Sequence, residues 1–353
     1  MSQPPPQRIL LIRPSALGDV ARSVPLLVTL RQAHPDAKID WLVHDGFADA
    51  IAHHPMLDDL VLFRRSQLSR FGRSLAATRE GLSLAKTLRQ KRYDLVIDAQ
   101  GLFRSGLLTR LTGAPQRVGF ADAREGATVF YNVKHRIDPA ITHTVDRMLA
   151  LLQAQGYDPS HDLRLYVGPA DQDWLAAFKQ EHAIERYLCL APTARWRSKC
   201  WPMQRYAQIA RQWIERHPDQ RIVLIAAPHE REQVAPFFEH LIGDDPPRTD
   251  LRHHIVFPTT TVSQMMALLS QTQLLLCNDS APLHLAVGLD QPTVALFGPT
   301  DPAYVGPCGS NTQVLRSANA PLGNTHRVDP KDQSLMEQLS VEQVWEAMSR
   351  HDK

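Results

Sequence analysis

The sequence predicts an α/β protein of two domains, each built on a parallel β-sheet with crossover helices. The first observation is the length of 353 residues, which is more than one hydrophobic core usually supports. The second is that short apolar runs alternate with helical patterns in both halves of the chain. The third is that polar loops follow several apolar runs, and parallel sheets bind ligands there. Two such domains facing each other across a cleft would suit an enzyme with two substrates.

In the first half, apolar runs predict four strands, and amphipathic stretches predict three helices. We expect the strands at 8–13, 38–43, 60–63 and 94–98. We expect the helices at 20–32, 75–92 and 144–155. A polar stretch with proline and glycine follows, so we place the linker near 160–170 and the domains at 1–165 and 166–353.

The same alternation returns in the second half of the chain. We expect strands at 187–191, 221–226, 254–257, 274–276 and 293–297. We expect helices at 203–216, 230–241, 263–269 and 281–287. The last helix of the chain belongs either with the second domain or packed back on the first.

Composition and loop chemistry argue against several classes of protein. Hydrophobic residues make up 43% and charged residues 22%, as in an ordinary soluble protein, and no apolar run approaches the ~20 residues of a membrane span. The N-terminus has no signal-peptide pattern and the four cysteines form no CxxC pair, which predicts a cytoplasmic protein with reduced thiols. A dinucleotide-dependent oxidoreductase should show GxGxxG after an early strand, but the loop at 14–19 reads PSALGD.

No metal or cofactor is predicted. The histidine pairs at 53–54 and 253–254 are adjacent in sequence, so their side chains point apart on a strand or helix. No nearby carboxylates complete a ligand set, and we expect no DxD-like cluster to offer a Mg²⁺ site.

The charge of the chain is unevenly distributed, although the formal net charge is only +2. Residues 60–136 contain fifteen lysines and arginines against five acidic residues. Any one of these cations could simply lie on a solvated helix face. The whole cluster favours an anionic partner, such as a phosphate, a carboxylate, nucleic acid or a membrane surface.

A strand–loop–helix–strand unit at 273–302 is the strongest sign of a ligand site. Its apolar run at 274–276 gives way to Asp279 and Ser280, and a helix is expected from Ala281. The unpaired N–H groups of such a helix start, beyond the end of a strand, commonly bind phosphate. His284 lies one helical turn further on and could stack above the same site or be a packed core residue.

Asp19 is the candidate general base of the first domain, on a loop hinged at Gly18 near the cleft. The alternative is that Asp19 is only a helix N-cap.

Two loops of the second domain carry further candidates for binding a nucleotide. Lys199 follows the strand at 187–191 and could meet a diphosphate together with the Thr193 hydroxyl; Arg195 and Arg197 could also serve, or Lys199 could be a surface residue. Glu230 follows the next strand, where a carboxylate can bind ribose hydroxyls or simply favour its own helix.

The chain resembles the bacterial lipopolysaccharide heptosyltransferases, glycosyltransferase family nine, and most closely its members that add the first heptose. The resemblance runs almost end to end and no single motif carries it. The matching segments are Ser15 to Val20, Asp40 to Val43 with Gly46 and Phe47, Asp98 to Leu102 with Ser105, Ala123 to Glu125, Phe130 to Asn132 with Lys134 and His135, Lys199 with Trp201 and Pro202, Pro228 to Glu230, and Phe297 to Pro302.

This resemblance implies a GT-B fold and an inverting, metal-independent transfer of L-glycero-D-manno-heptose from ADP-heptose. The implied acceptor is the Kdo of Kdo2–lipid A, which would place the protein peripherally at the cytoplasmic face of the inner membrane. Asp19 then resembles the general base. The implied donor contacts are Thr193 and Lys199 at the diphosphate, Glu230 at the ribose, Thr260 beside adenine, and Asp279, Ser280, Ala281 and His284 at the diphosphate and sugar.

Three positions depart from the family pattern. The family usually has Asp-Thr-Gly where this chain has Asp279-Ser280-Ala281, and Ala281 tolerates positive φ less well than glycine. Ala194 stands where a second threonine is common, and Thr260 replaces a methionine.

The sequence therefore predicts a heptosyltransferase of lipopolysaccharide inner-core synthesis. Gly18, Arg64, Arg65, Arg104 and Arg124 are the candidates for binding the acidic acceptor. A sister transferase that adds the second heptose or another sugar is the nearest alternative, and a nucleotide-binding module without catalysis is a second. Aromatic residues and groove-binding motifs are sparse in the basic half, so no nucleic acid is expected, and no protein partner is predicted.

Overall fold

A computed structural model describes residues 4–68, 73–242, 251–323 and 329–351. The chain divides into two compact units, Met1–Tyr166 and Val167–Lys353, called unit one and unit two below. Arg70, which is part of the predicted basic segment, lies outside the described residues. Among those residues, no helix is both long enough and apolar enough to cross a bilayer.

Unit one contains a six-stranded parallel sheet in the order β3-β2-β1-β4-β5-β6. Its strands are β1 (Arg8–Ile12), β2 (Lys38–His44), β3 (Asp59–Phe63), β4 (Leu95–Asp98), β5 (Gln116–Phe120) and β6 (Val133–His135). Its helices are α1 (Leu17–Arg22), α2 (Val24–Ala33), α3 (Arg65–Leu68), α4 (Leu75–Gln90), α5 (Phe103–Thr112) and α6 (Thr144–Ala154). Short 3₁₀ turns lie at Asp45–Ala50 and Ala127–Phe130.

Helices α4 and α5 lie side by side over unit one's sheet. Leu88 of α4 and Leu108 of α5 belong to the same buried cluster as Leu10 of β1 and Val96 of β4. Burying a leucine fully stabilises a fold by about 1.5–3 kcal/mol, so this shared cluster ties both helices to the central strands.

The single helix predicted at 20–32 is wrong, because the structure has two helices that meet at Ser23. Pro25 lies in the first turn of α2, where a missing N–H costs nothing, but it could not continue the preceding helix. The Ser23 hydroxyl donates to the carbonyl of Asp19 at 2.7 Å. The break makes α1 a short helix that presents Asp19 in its first turn.

Unit two contains a second six-stranded parallel sheet, in the order β12-β11-β10-β7-β8-β9. Its strands are β7 (Tyr187–Ala191), β8 (Arg221–Leu224), β9 (Ile255–Val256), β10 (Leu274–Asn278), β11 (Thr293–Phe297) and β12 (Thr312–Arg316). Its helices are α7 (Pro169–Glu181), α8 (Met203–Arg216), α9 (Ala235–Ile242), α10 (Val262–Ser270), α11 (Ala281–Gly288), α12 (Pro302–Val305) and α13 (Val341–Ser349). Short 3₁₀ turns lie at Arg197–Lys199, Pro228–Val234, Leu251–His254 and Met336–Gln338.

The last helix, α13, packs on α8 within unit two. Val344 and Met348 are completely buried in the cluster that also holds Trp213 of α8. Just before α13, the carbonyl of Leu339 accepts a hydrogen bond from the Trp201 indole at 2.9 Å. The helix predicted at 230–241 is a 3₁₀ turn, Pro228–Val234, followed by α9, so Glu230 lies in an irregular segment.

Candidate active site

Asp19 lies in the first turn of α1, just beyond the carboxyl end of β1. One oxygen of its carboxylate accepts a hydrogen bond from the backbone N–H of Ala16 at 3.2 Å. The alternative that Asp19 is an N-cap is wrong, because Ala16 is the N-cap of α1 and Asp19 is the third helical residue, whose carboxylate satisfies the backbone N–H of the N-cap. The peptide bond between Ser15 and Ala16 is cis. Gly18 is buried beside Asp19, as the close packing of this turn requires.

Two buried arginines hold the Asp19 side chain. The Arg22 guanidinium donates to one carboxylate oxygen, and Arg13 lies 3.4 Å from the other. Burial alone opposes ionisation of Asp19, but the charges of Arg13 and Arg22 prevail and lower its pKa to about 2. The arginine side chains are 9% and 10% exposed, whereas that of Asp19 is 27% exposed. Asp19 is therefore an ionised carboxylate that solvent or a substrate can reach.

Such a carboxylate can accept a proton from a hydroxyl group, which is the chemistry of a general base. Its low pKa keeps the acceptor form fully populated at neutral pH. The same low pKa makes Asp19 a weak base, so it can only take the proton late, when the attacking oxygen has become acidic. The geometry suits a reaction in which bond formation acidifies the nucleophile.

A second carboxylate, Asp98, is completely buried at the end of β4. It accepts hydrogen bonds from the Tyr131 hydroxyl at 2.6 Å and from the backbone N–H of Gly101 at 3.1 Å. Burial raises the pKa of Asp98 despite these donors. Arg13 donates to the carbonyl of Ala99 at 2.6 Å, so the end of β4 also positions the arginine that contacts Asp19. Sequence reasoning used Asp98 only as a motif residue and missed this supporting role.

One of the predicted acceptor-binding arginines, Arg104, lies near the end of β3, where a second one, Arg64, follows in the chain. The Arg104 guanidinium at the start of α5 lies 5.7 Å from the ring centre of Phe63, whose chain neighbour is Arg64. Arg64 forms an ion pair with Glu80 at 3.2 Å, which neutralises part of its charge. Arg65 begins α3 and is exposed.

The fourth predicted arginine, Arg124, is exposed in the loop after β5. Its backbone N–H donates to the carbonyl of Gly101 at 2.9 Å, and Gly101 takes the positive φ of 69° that this turn needs. The loops after β4 and β5 are thereby joined at the carboxyl edge of the sheet.

In unit two, Asn278 organises the carboxyl edge of the sheet. This residue ends β10 and is completely buried. Its side chain accepts from the Trp201 backbone N–H at 3.0 Å and from the Tyr206 hydroxyl at 3.2 Å, and it donates to the Pro192 carbonyl at 2.7 Å. The loop that follows β7, which carries Thr193 and Lys199, is thus held against β10. Sequence reasoning did not identify this role of Asn278.

Lys199 and Asp279 form an ion pair in the same place. The ammonium of Lys199 donates to the carboxylate of Asp279 at 2.6 Å, and the side chains are 26% and 7% exposed. Burial would raise the pKa of Asp279, but Lys199 and His284 nearby, with a hydrogen bond from Thr300, lower it overall. The structure therefore brings Lys199, Asp279 and His284 together, as the sequence predicted, and adds Thr300.

The helix start beside this ion pair belongs to α11. Ser280 is its N-cap residue in extended conformation, and its hydroxyl contacts the Asn278 carbonyl at 3.4 Å; it forms no side-chain cap hydrogen bond within the helix. Ala281 is the first helical residue, and Pro282, which follows it, has no N–H to satisfy. His284 is buried one turn along the helix. The backbone N–H groups of this turn can receive an anion.

The remaining predicted donor contacts lie on neighbouring loops of unit two. The buried Thr193 hydroxyl donates to Glu230 at 2.8 Å, so these two residues share one polar site. Arg231 lies 3.8 Å from the ring centre of Phe257 and donates to the Pro258 carbonyl at 3.1 Å. This contact joins the loop of Glu230 to the segment that carries the half-buried Thr260.

No group of three or more histidine, cysteine, aspartate or glutamate side chains in the described parts of the chain could hold a metal ion. The four cysteines, all within the described ranges, form no disulfide, and Cys189, Cys200 and Cys277 are buried.

Comparisons with known proteins agree with this arrangement. The family model of glycosyltransferase family 9 (heptosyltransferase) matches residues 81–334. Lipopolysaccharide heptosyltransferase 1 of Escherichia coli (strain K12) is 30% identical over 340 residues, 94% of this chain and 99% of that protein. Lipopolysaccharide heptosyltransferase 2 of the same strain is 25% identical over 319 residues, 88% of each.

A solved structure of E. coli heptosyltransferase WaaC with ADP-2-deoxy-2-fluoro heptose is also similar. It has a TM-score of 0.74 and 26% sequence identity, over 97% of this chain and 99% of that one. The likeness confirms the predicted fold class, GT-B. The match of the family model to well over half of the chain shows that this protein is a glycosyltransferase and belongs to glycosyltransferase family 9, the heptosyltransferases.

Proposed function

We propose that this chain transfers L-glycero-D-manno-heptose from ADP-heptose to the Kdo of Kdo2–lipid A, in lipopolysaccharide inner-core synthesis. The observation that carries the proposal is the reachable, ionised Asp19 held between Arg13 and Arg22. A sugar transfer of this kind needs one carboxylate that receives the proton of the attacking hydroxyl. Unit one would bind the acceptor, and unit two the nucleotide-sugar.

In the proposed reaction, an acceptor hydroxyl attacks the anomeric carbon of the heptose from the side opposite the diphosphate. The new C–O bond forms as the bond to the diphosphate breaks, which inverts the anomeric configuration. Asp19 receives the hydroxyl proton, and ADP leaves with the electron pair. Lys199 and the N–H groups at the start of α11 stabilise the negative charge of the departing diphosphate.

The donor contacts are assigned from the polar clusters of unit two. The diphosphate would bind Lys199 and Thr193, and the heptose and diphosphate would bind Asp279, Ser280, Ala281 and His284. Glu230 would bind the ribose hydroxyls, because its carboxylate already accepts a hydroxyl hydrogen bond, from Thr193. Thr260 would lie beside adenine. In support, a family relative has been solved with ADP-2-deoxy-2-fluoro heptose.

The acceptor contacts are assigned from the charges of unit one. Arg64, Arg65, Arg104 and Arg124 would bind the Kdo carboxylate and lipid phosphates, and Gly18 would lie against the acceptor. Transfer of the first heptose, to Kdo, is preferred over addition of the second heptose because identity is higher to heptosyltransferase 1 than to heptosyltransferase 2. A lipid acceptor would place the enzyme peripherally at the cytoplasmic face of the inner membrane.

A mass-spectrometric assay tests the proposal directly. Purified protein is incubated with ADP-heptose and either Kdo2–lipid A or the same acceptor already carrying one heptose. We expect one heptose to be added to the first acceptor only. Addition only to the second acceptor would identify a sister transferase. ADP binding without any transfer would leave a nucleotide-binding module and overturn the proposal.

A further inference from the structure

The solvent-facing side of α5 in unit one consists only of apolar and basic residues. Phe103, Leu107 and Leu111 are exposed at intervals of four residues, which places them on one side of the helix. Arg104 and Arg110 are the other two exposed residues of α5. Such a composition is unusual for a helix side that contacts only water, because hydration of its leucine and phenylalanine side chains is unfavourable.

Helix α4 presents a similar side next to it. Leu75 and Leu82 are 81% and 60% exposed and lie two turns apart. The exposed basic residues of α4 are Arg79, Lys86 and Arg89. The only acidic residue of α4, Glu80, is half-buried.

The two sides form one surface, called the α4–α5 face below. The Arg89 guanidinium occupies the space that a β-carbon at Gly113 would take, so it bridges α4 to the end of α5. At the other end of α5, the ring of Phe103 packs edge-on against Phe130 at 5.3 Å. The neighbouring Val129 is 73% exposed and extends the apolar surface.

The positive charge of the α4–α5 face indicates which kind of partner binds it. Five cations are exposed on α4 and α5, and Glu80 is paired with Arg64 rather than with any of them. A protein partner would need a matching acidic and apolar patch. An anionic lipid bilayer offers both complements at once, because its phosphates attract cations while its interface accepts leucine and phenylalanine side chains.

We propose that the α4–α5 face docks on the surface of an anionic lipid bilayer. This inference rests on the proposed function, which supplies a lipid-anchored acceptor. Leu75, Leu82, Phe103, Leu107 and Leu111 enter the interface, and the five cations contact lipid phosphates. Helix α5 begins at the carboxyl edge of the sheet, where Arg104 and the loop of Arg124 lie, so docking holds that edge beside the headgroups.

Vesicle co-sedimentation tests this surface without any transfer assay. The full chain is mixed with vesicles of pure phosphatidylcholine or of phosphatidylcholine with phosphatidylglycerol. We expect binding to the anionic vesicles that weakens as salt is raised, since salt screens exposed charges. Leu107→Gln with Leu111→Gln should lower the partition coefficient by about tenfold. Arg79→Gln and Lys86→Gln should each lower it by about fivefold.

Matched controls come from unit two. Leu322 is 82% exposed, almost the same as Leu75, so Leu75→Gln should weaken vesicle binding and Leu322→Gln should not. Lys331→Gln is the corresponding control for the charge variants, because Lys331 is exposed and belongs to unit two. Circular dichroism and thermal unfolding verify that each variant is folded.

Two outcomes would overturn the inference: no binding to anionic vesicles, or equal losses in Leu75→Gln and Leu322→Gln. Either result, together with normal transfer to a detergent-solubilised acceptor, would leave the proposed function intact. Binding through the α4–α5 face by a protein that transfers no heptose would support the surface and reject the function.

Discussion

The two units share one strand order, but they end their central strands differently. Counted from the edge strand, β4 of unit one and β10 of unit two occupy the same position beside the first strand of their unit. Strand β4 ends in Asp98 and β10 ends in Asn278, and both residues are completely buried. Asp98 only accepts hydrogen bonds, whereas Asn278 both donates and accepts.

A similar contrast holds for two other carboxylates that follow central strands, Asp19 after β1 and Asp279 after β10. Asp19 of unit one faces two arginines and keeps 27% of its side chain exposed. Asp279 of unit two faces Lys199 and keeps only 7% exposed. The pKa of each carboxyl group is lowered by nearby positive charge.

The two ion pairs therefore differ in which partner is exposed to solvent: the carboxylate in unit one and the cation in unit two. The carboxylate of Asp19 can reach a substrate, while its arginines are buried supports. In unit two the cation is the more exposed partner, so Lys199 can reach a phosphate and Asp279 is the buried support. In the proposed function, one topology offers the same ligand position twice, and the side chains decide whether it receives a proton or an anion.

Replacing Asp19 should lower the rate of transfer more than any other change. A small effect would contradict the contrast between a reachable Asp19 and a buried, supporting Asp279. Asp19→Asn keeps the size of the side chain but removes its capacity to receive a proton. We expect kcat to fall by about 10²–10⁴-fold. The affinity for ADP, measured by isothermal titration calorimetry, should stay unchanged, because we propose that ADP binds to unit two. An unaltered kcat would remove Asp19 from the role of base.

Asn278→Asp gives β10 the same final residue type as β4, which ends in Asp98. This change should destabilise the fold. The carboxylate cannot donate to the Pro192 carbonyl, which would be left facing a buried negative charge. We expect the free energy of unfolding in urea to fall by about 3 kcal/mol.

The control for this change is Asn132→Asp. Asn132 also donates to a proline carbonyl, that of Pro115 at 2.6 Å, but it is exposed, so water can replace the lost donor. Its effect should stay below about 0.5 kcal/mol. Equal losses in the two variants would mean that burial of Asn278 does not matter.

Arg22→Gln tests whether the arginines set the charge state of Asp19. The folded pKa of Asp19, about 2, is below its unfolded value near 3.9, so the pair stabilises the protein above pH ~4 and this stability is lost as pH falls toward 2. We expect the free energy of unfolding of the variant to be roughly 2 kcal/mol lower than that of the wild type at pH 7. This difference should shrink at low pH.

The acidic limb of the kcat/KM profile of Arg22→Gln should also move to higher pH, which a purely structural role would not cause. Arg22→Lys should restore part of the wild-type profile. Arg147→Gln is the control, because its partner Asp122 is 60% exposed and such surface pairs contribute about 0–1 kcal/mol. A profile that does not move would show that Arg22 has no influence on the pKa of Asp19.

Lys199→Ala should have the smallest of these effects, a loss of ADP affinity of about tenfold. Arg195→Ala and Arg197→Ala are the discriminating controls. Arg195 lies over the Trp196 ring, and Arg197 donates to Gln333, so neither guanidinium is placed beside Asp279. If an arginine variant lost more affinity than Lys199→Ala, the ion pair with Asp279 would not mark the phosphate site.

Much of the fold could be predicted from the sequence because buried parallel strands are short, continuous apolar runs. The strands at Tyr187–Ala191 and Thr293–Phe297 and the helix at Met203–Arg216 were predicted with the bounds that the structure has. The strands β5, β6 and β12 were missed. Strand β12 is only partly buried and mixes polar with apolar residues, so it has no apolar run to recognise.

The part of the candidate site that lies on loops after strands could be predicted, because ligands of parallel sheets bind to such loops. Lys199, Asp279 and His284 were placed together from the sequence, and the structure brings them together. Arg13 and Arg22 were not considered, because one ends a strand pattern and the other lies within a helical pattern. Only their distances from Asp19 reveal their function.

The sequence alone determined the α/β class, most of the strands and the family, because these depend on local periodicity and on residue types at fixed spacing. Tertiary structure decided which charges meet. The contacts Arg13–Asp19 and Asn278–Pro192 join residues that sequence spacing does not relate, and burial leaves Asp19 the more exposed partner of the first contact. Electrostatic energy depends on distance and solvent exposure, and both are properties of the folded chain.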